Sequence, residues 1–229
     1  MVITSITGAL SFIVAEANSG GAISYLQEKF VQGGVFMWPI LFVLVIGLAF
    51  SFAKLFSLLS SSTNTKKFIL AVKDKLSNGG VQEAMKFCEN SKGSIASVFH
   101  AGLLRADEGI EAAEKAIMTY GAIEMSFLEK GLIWISLFIS IAPMLGFTGT
   151  VMGMISAFDD IAAANQMSPA IVASGISEAL LTTLFGLVVA MILQVFYNFF
   201  VSRVDKIVGD MEESSIELID ALYDLKNKK

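Results

Sequence analysis

Small and hydroxyl-bearing residues interrupt one of the most apolar stretches of this sequence. Residues 141–153 read IAPMLGFTGTVMG. With 3.6 residues per turn, one side of a helix over 136–157 carries Ser136, Ser140, Pro143, Gly146, Thr150, Gly153 and Ala157. The opposite side carries Leu137, Phe138, Met144 and Val151. This helix therefore has a small, partly polar face and a bulky face that suits lipid or an apolar neighbour.

Two explanations of the small face remain open. One is close helix packing, because small residues let helices approach, and Gly149 with Gly153 forms a GxxxG pattern. The other is a face that lines a polar path or receives another helix. Pro143 agrees with the second explanation, because it leaves a backbone carbonyl without its helical partner. Such gaps are tolerated where other helices or water satisfy them.

A second apolar stretch carries small or polar residues at every fourth position. They are Ser174, Glu178, Thr182, Gly186, Ala190 and Gln194, with Thr183 beside the middle of the run. Glu178 is the only carboxylate between Asp160 and Asp205. A carboxylate at membrane depth is costly and marks a functional site, although a position in water at the outer interface is the alternative.

These residue types could conduct protons. Hydroxyl groups hydrogen-bond to water or to a carboxyl group without carrying a fixed charge, so two such faces suit a helix bundle around a polar lumen. A complete path also needs an acid near the centre of a span, and this sequence has none there. A partner chain would have to supply it.

Three charge-free runs are long enough to cross a membrane. Residues 30–53, 131–158 and 179–202 contain no Asp, Glu, Lys or Arg, and a span needs about 20 apolar residues. Only 16% of the chain is charged, against about 25% in soluble domains, which argues against a soluble bundle of buried helices. We predict an all-α integral membrane protein with three transmembrane helices, over 34–59, 131–158 and 176–202.

The positive charges predict which side of the membrane each segment faces. Of 16 Lys and Arg residues, ten lie between the first two spans, none between the second and third, and five after the third. Cytoplasmic segments are rich in Lys and Arg, so residues 60–130 and 203–229 are predicted to be cytoplasmic. The loop 159–175 and the N-terminal segment 1–33 then face outward. Residues 1–15 are predicted to form an amphipathic helix on the outer face, with a leader remnant or a fourth span as alternatives.

The cytoplasmic segment is predicted to be a series of helices. Residues 77–80, SNGG, and 91–94, SKGS, predict breaks between them. From Asp107 onward no strong breaker follows, so one long helix is predicted to start in the cytoplasm and continue through the second span. Helical spacing also predicts that the third span extends into the tail, through Val204, Ile207, Val208 and Met211.

The chemistry of metal sites, cofactor sites and enzymes is not indicated. Cys88 and His100 are the only cysteine and histidine, which excludes an ordinary His/Cys metal site and an internal disulfide. No phosphate loop, nucleotide fingerprint or nucleophile–base pair is present. We therefore expect no cofactor, no nucleic-acid partner and no enzymatic activity.

The two apolar stretches together resemble a known family. APMLGFTGTVMGMISAF followed by ISEALLTTLFGLVVAMILQVFYN is similar to the signature spans of the MotA/TolQ/ExbB proton-channel family. The upstream VQGGVFMWPILFVLVI resembles the first span of its ExbB and TolQ members. The resemblance covers residues 25–210, and the segment 1–24 lies outside the shared pattern.

The resemblance implies a proton channel that works as a molecular motor. ExbB-like chains form a ring, usually a homopentamer, in the inner membrane of Gram-negative bacteria, with spans two and three around the pore. Single-span ExbD-like chains inside the ring carry an essential membrane aspartate. The proton-motive force acts there to rotate one component against the other, and a TonB-like protein delivers the work to outer-membrane transporters.

The resemblance also implies roles for individual residues. Thr150 and Thr183 match the pore threonines, Glu178 the glutamate that starts span three, and Pro143 the span-two proline. Thr182 beside Thr183 leaves open which of the two faces the pore. The expected proton pathway is therefore Thr150, Thr183, Glu178 and Thr182, and the expected packing or pore face is Pro143, Gly146, Gly149, Gly153 and Gly186.

Three functions compete at this point. The first is an ExbB-like channel subunit that energises TonB-dependent transport. The second keeps the channel but serves another client, as in TolQ-like envelope maintenance or another stator of the family. A MotA-like identity is disfavoured, since such chains generally have four spans. The third is a membrane scaffold whose glycines only pack helices.

Overall fold

The described residues of the chain form helices and no strands. The structure, a computed structural model, describes residues 21–61, 65–164 and 169–227. Seven α-helices and one short 3-10 helix follow one another along these ranges. They are α1 Gly21–Gln32, α2 Met37–Ser61, α3 Thr65–Glu89, α4 Ser94–Leu104, the 3-10 helix Ala106–Glu108, α5 Ile110–Glu129, α6 Leu132–Ala164 and α7 Pro169–Asn227.

Among the described residues, three segments are long and apolar enough to cross a membrane. They are Met37–Leu59, Ile110–Ala163 and Val172–Leu225, and each contains an 18-residue stretch with a mean hydropathy of 2.3, 1.8 and 2.3, respectively. The charge-free runs lie mostly in α2, α6 and α7, and each has at least the roughly 20 residues that a membrane-spanning helix needs. The prediction of an all-α membrane protein with three spans is confirmed. The sidedness of the segments stays a prediction, and residues 1–15, with their predicted amphipathic helix, lie outside the described residues.

The chain divides into two compact units. Among the described residues, the first unit contains those up to Leu48 and those within 137–194, and the second contains those within 49–136 and from Val195 onward. In the first unit, α2, α6 and α7 bury Ile40, Val43, Ala142, Val189 and Leu193 against one another. Phe138 packs on this cluster, so of the two options for the bulky face of the second span, lipid or an apolar neighbour, Phe138 takes the apolar neighbour.

The second unit has a separate apolar core. Its buried side chains come from α3, α4, α5 and the C-terminal part of α7, and they include Phe68, Val72, Phe99, Ile117 and Leu218. The predicted breaks in this region are confirmed. Gly80 interrupts α3 with φ +69°, and Gly93 precedes α4 with φ +117°. Both conformations are open to glycine and costly for other residues.

One predicted helix is divided in the structure. The helix expected to run from the cytoplasm through the second span ends at Glu129, and α6 begins at Leu132. Lys130 adopts φ −54° and ψ 129°, and Gly131 adopts φ +94°. An isolated glycine is tolerated in a helix, so Gly131 alone did not predict a helix end here. The corresponding prediction for the third span is confirmed, because α7 runs unbroken from Pro169 to Asn227.

Candidate functional site between α6 and α7

The backbones of α6 and α7 touch in the first unit because two glycines face each other. A Cβ atom added to Gly186 would lie 2.6 Å from the carbonyl oxygen of Ala142 and 3.1 Å from the Cα atom of Gly146. A Cβ atom added to Gly146 would lie 2.9 Å from the carbonyl oxygen of Thr182. Any side chain at either glycine would therefore push the helices apart.

The close approach continues along the antiparallel pair. A Cβ atom on Gly149 would lie 2.6 Å from Oγ1 of Thr182, and one on Gly153 would lie 3.2 Å from Cβ of Ala179. The small faces predicted for the two spans thus pack against each other. Helix packing accounts for Gly146, Gly149, Gly153 and Gly186 without further assumptions.

Two threonine hydroxyls meet within this contact. Oγ1 of Thr150 and Oγ1 of Thr183 are hydrogen-bonded to each other. Oγ1 of Thr150 also lies 3.1 Å from the carbonyl oxygen of Ala179, and Oγ1 of Thr183 lies 3.2 Å from that of Gly146. A hydroxyl donates one hydrogen and accepts through its lone pairs. The chain of bonds can therefore run from Thr150 through Thr183 to Gly146, or in reverse to Ala179.

The adjacent threonine has different surroundings. Thr182 is 1% exposed, and its hydroxyl can donate its single hydrogen to the carbonyl oxygen of Ala179, at 2.8 Å, or to that of Gly146, at 3.3 Å. It fills the space over Gly149. Thr150 and Thr183 are only partly buried. The structure therefore pairs Thr183, and not Thr182, with Thr150.

Glu178 lies beside the start of α2. It is partly buried, and a Cβ atom on Gly34 would lie 1.9 Å from its Oε1 atom. Gly34 adopts φ +69° in the turn before α2, so glycine is favoured there by both backbone conformation and space. Sequence reasoning did not select Gly34 as a site residue; the glycine pair at 33–34 before the first span was the available signal.

Pro143 and the bulky face complete the description of α6. The helix continues through Pro143, so the carbonyl of Ile139 lacks its usual N–H donor. Met144, which is 65% exposed, Leu137 and Val151 lie on the uncovered side of the helix. Such a surface suits lipid or another membrane helix. No group of His, Cys, Asp and Glu suited to a metal ion occurs among the described residues.

Comparison with known proteins finds relatives among the biopolymer transport proteins named ExbB and the Tol-Pal system proteins named TolQ. A biopolymer transport protein ExbB homolog of Methanothermobacter thermautotrophicus is 30% identical over 81% of this chain and 66% of that protein. The Tol-Pal system protein TolQ of Pseudomonas aeruginosa is 31% identical over 50% of this chain and 54% of its own length. The biopolymer transport protein ExbB of Salmonella typhimurium is 43% identical over 28% of this chain and 27% of that protein.

The chain spans less than two thirds of the length of each of these relatives. The family described as the MotA/TolQ/ExbB proton channel family matches residues 90–213, which include α5, α6, the hydroxyl pair and Glu178. From this match, the similarity over most of the chain and the three apolar helices, we conclude that the chain belongs to the MotA/TolQ/ExbB proton channel family.

Proposed function

We propose that this protein is an ExbB-like subunit of a proton channel and motor that uses the proton-motive force. The observation that carries the proposal is the bonded hydroxyl pair of Thr150 and Thr183 in the contact of α6 and α7. The pair is partly buried, has two alternative carbonyl acceptors and carries no charge. One hydroxyl of the pair can accept a hydrogen bond from a proton donor while the other donates its hydrogen to a carbonyl oxygen.

The pair needs a neighbouring acid before it can serve a proton path. The charge-free run 131–158 contains no carboxylate, and Glu178 lies more than a turn from Thr183 along α7. We propose that a single-span, ExbD-like subunit brings a membrane aspartate to this surface. A protonated carboxyl donates to a threonine hydroxyl and an ionised one accepts from it, so the hydroxyls would stabilise both states of the acid.

We further propose that several copies of the chain form a ring around that partner, a homopentamer by family resemblance. Large apolar side chains along α7 remain uncovered in the single chain, and neighbouring copies and lipid would cover them: Leu180, Leu184, Leu187 and Met191. The ring would lie in a bacterial inner membrane, with the N-terminus in the periplasm and the C-terminus in the cytoplasm. The expectations of no enzymatic activity, no cofactor and no nucleic-acid partner remain part of this proposal.

Two clients are supported equally. An ExbB-like subunit would work with a TonB-like protein to energise outer-membrane transport, and a TolQ-like subunit would serve envelope maintenance. The similarity to TolQ of Pseudomonas aeruginosa over half of this chain favours the second candidate as much as the ExbB relatives favour the first. Complementation separates them. Restored TonB-dependent uptake in a strain lacking ExbB supports the first client, and restored detergent resistance in a strain lacking TolQ supports the second.

Proton uptake into proteoliposomes tests the channel itself. Vesicles with the chain alone are compared with vesicles that also hold its single-span partner, under an imposed membrane potential and with a trapped pH dye. We expect uptake only with the partner. Equal uptake with and without the partner would refute the proposed shared path, because the chain would then conduct protons alone. No uptake from an assembled complex would refute the channel and favour a scaffold.

A further inference from the structure

The division between α5 and α6 contains a buried lysine that belongs to another helix. Lys54 lies in α2, and it is the first charged residue after the charge-free run 30–53. It is 6% exposed. A buried ammonium group is costly unless it is hydrogen-bonded, so its surroundings need an explanation.

The ammonium group of Lys54 lies at the C-terminal end of α5. Its Nζ atom donates to the carbonyl oxygen of Leu128 and, at 2.8 Å, to that of Lys130. The last carbonyls of a helix have no helical donors, and the negative end of the helix dipole favours a cation. One carbonyl belongs to α5 and the other to the peptide that joins Lys130 to Gly131, so a single ammonium group holds the end of α5 and the first peptide of the link.

Backbone hydrogen bonds at the division stay within the α5–α6 segment: the N–H of Lys130 donates to the carbonyl oxygen of Ser126 at 3.1 Å, and that of Trp134 donates to the carbonyl oxygen of Gly131 at 3.3 Å. Gly131 has φ +94°, and a Cβ atom placed on it would have no neighbour within 4 Å. Apolar contacts flank the division, since Leu128 and Leu132 are buried and the rings of Phe50 and Trp134 lie 6.2 Å apart. These contacts are non-directional, whereas the bonds from Lys54 fix the direction of the carbonyls.

We propose that Lys54 is the positioning residue of this joint. Its ammonium group fastens the end of α5 and the Lys130–Gly131 peptide to α2, so that the last turn of α5 does not fray or separate from α2 at this link. This goes beyond the proposed function, because it holds for any client. In this role Lys54 carries no proton of the channel.

Hydrogen exchange of the assembled full chain tests the proposal. Lys54→Met keeps the apolar stem and removes the donors, whereas Lys54→Arg keeps donors. Lys115→Met removes an exposed lysine from α5 itself and is the matched control. We expect amides of 127–132 to exchange at least about tenfold faster in Lys54→Met, and close to wild type in the other two variants.

Each other outcome also decides the question. Wild-type exchange in Lys54→Met, or equal acceleration in Lys54→Met and Lys54→Arg, would overturn the proposal, because donors would then not hold the joint. If Lys54→Met does not assemble, an assembled Lys54→Arg with a protected joint supports the proposal, and failure of both overturns it. A changed pH profile of proton flux in Lys54→Met would place the lysine on the proton path and overturn its assignment as a positioning residue.

Discussion

The contact of α6 and α7 makes opposite predictions for two alanine substitutions in the same helix. Gly186→Ala places a methyl group 2.6 Å from the carbonyl oxygen of Ala142, whereas Gly209→Ala, further along α7, meets nothing within 4 Å. Both replace glycine by the best helix former. The difference in stability between the two variants therefore measures the free-energy cost of separating the backbones of α6 and α7.

The structure gives the size of that difference. Alanine in an exposed helix position is favoured over glycine by about 1 kcal/mol, so Gly209→Ala should stabilise the fold by that amount. Ordinary contacts start at 3.4 Å, so at Gly186 the helices must separate by roughly 0.8 Å. A gap of that size loses about a quarter to a half of the contact energy of the lining atoms, and overpacking typically costs about 1–3 kcal/mol.

Thermal unfolding of the two variants in detergent, followed by far-ultraviolet circular dichroism, measures the effect. Gly186→Ala should unfold below wild type and Gly209→Ala above it. Gly186→Ala should also give fewer of the proposed rings on a sizing column. Equal unfolding temperatures of the two variants, with normal assembly, would refute the reasoning that Gly186 is required for backbone contact.

Two further predictions concern glycine conformation and the buried thiol. Gly34 and Gly80 both have φ +69°, so alanine is strained at either position and should cost about 1–3 kcal/mol of stability. Only Gly34→Ala displaces the Glu178 carboxylate, so only it should lower proton flux, and equal flux in the two variants would remove Gly34 from the site. Burial raises the pKa of Cys88 to about 12, so the native thiol should resist maleimide at neutral pH and react only on unfolding. Because the unfolded thiol ionises near pH 8.5, Cys88 should also reduce stability as the pH rises above that value, and Cys88→Ala should flatten this dependence.

The spans could be predicted from the sequence because their physical cause is local. Runs without charge, such as 131–158, are visible in the chain itself, and so is the four-residue spacing that places Gly186 beside Thr182 and Thr183. The two small faces were also visible. The contact between the two small faces depends on the antiparallel arrangement of α6 and α7. The residue pattern of a single helix does not predict that arrangement.

Other features depend on contacts distant in sequence. The choice between Thr182 and Thr183 follows from the position of Thr150 on another helix. Likewise, the division at Gly131 is stabilised by Lys54, which lies far earlier in the chain. Gly34 shows the same limit, since its place in the site depends on Glu178 of α7. In each case the local residue preferences allow more than one arrangement, and a contact with a residue distant in the sequence determines which one forms.

Proton flux through the hydroxyl pair is the most direct test of the proposed channel. Thr150→Val and Thr183→Val each remove one hydroxyl and keep the shape of the side chain. Thr148→Val is the matched control, because Thr148 is exposed on the same helix and its hydroxyl bonds only its own turn, to the carbonyl oxygen of Met144 at 2.8 Å. With the single-span partner present, proton flux should fall in Thr150→Val and Thr183→Val and remain at the wild-type level in Thr148→Val. The proposed rings should have normal size in all three variants. Wild-type flux in assembled Thr150→Val and Thr183→Val would contradict the account and leave the α6–α7 face with a packing role alone.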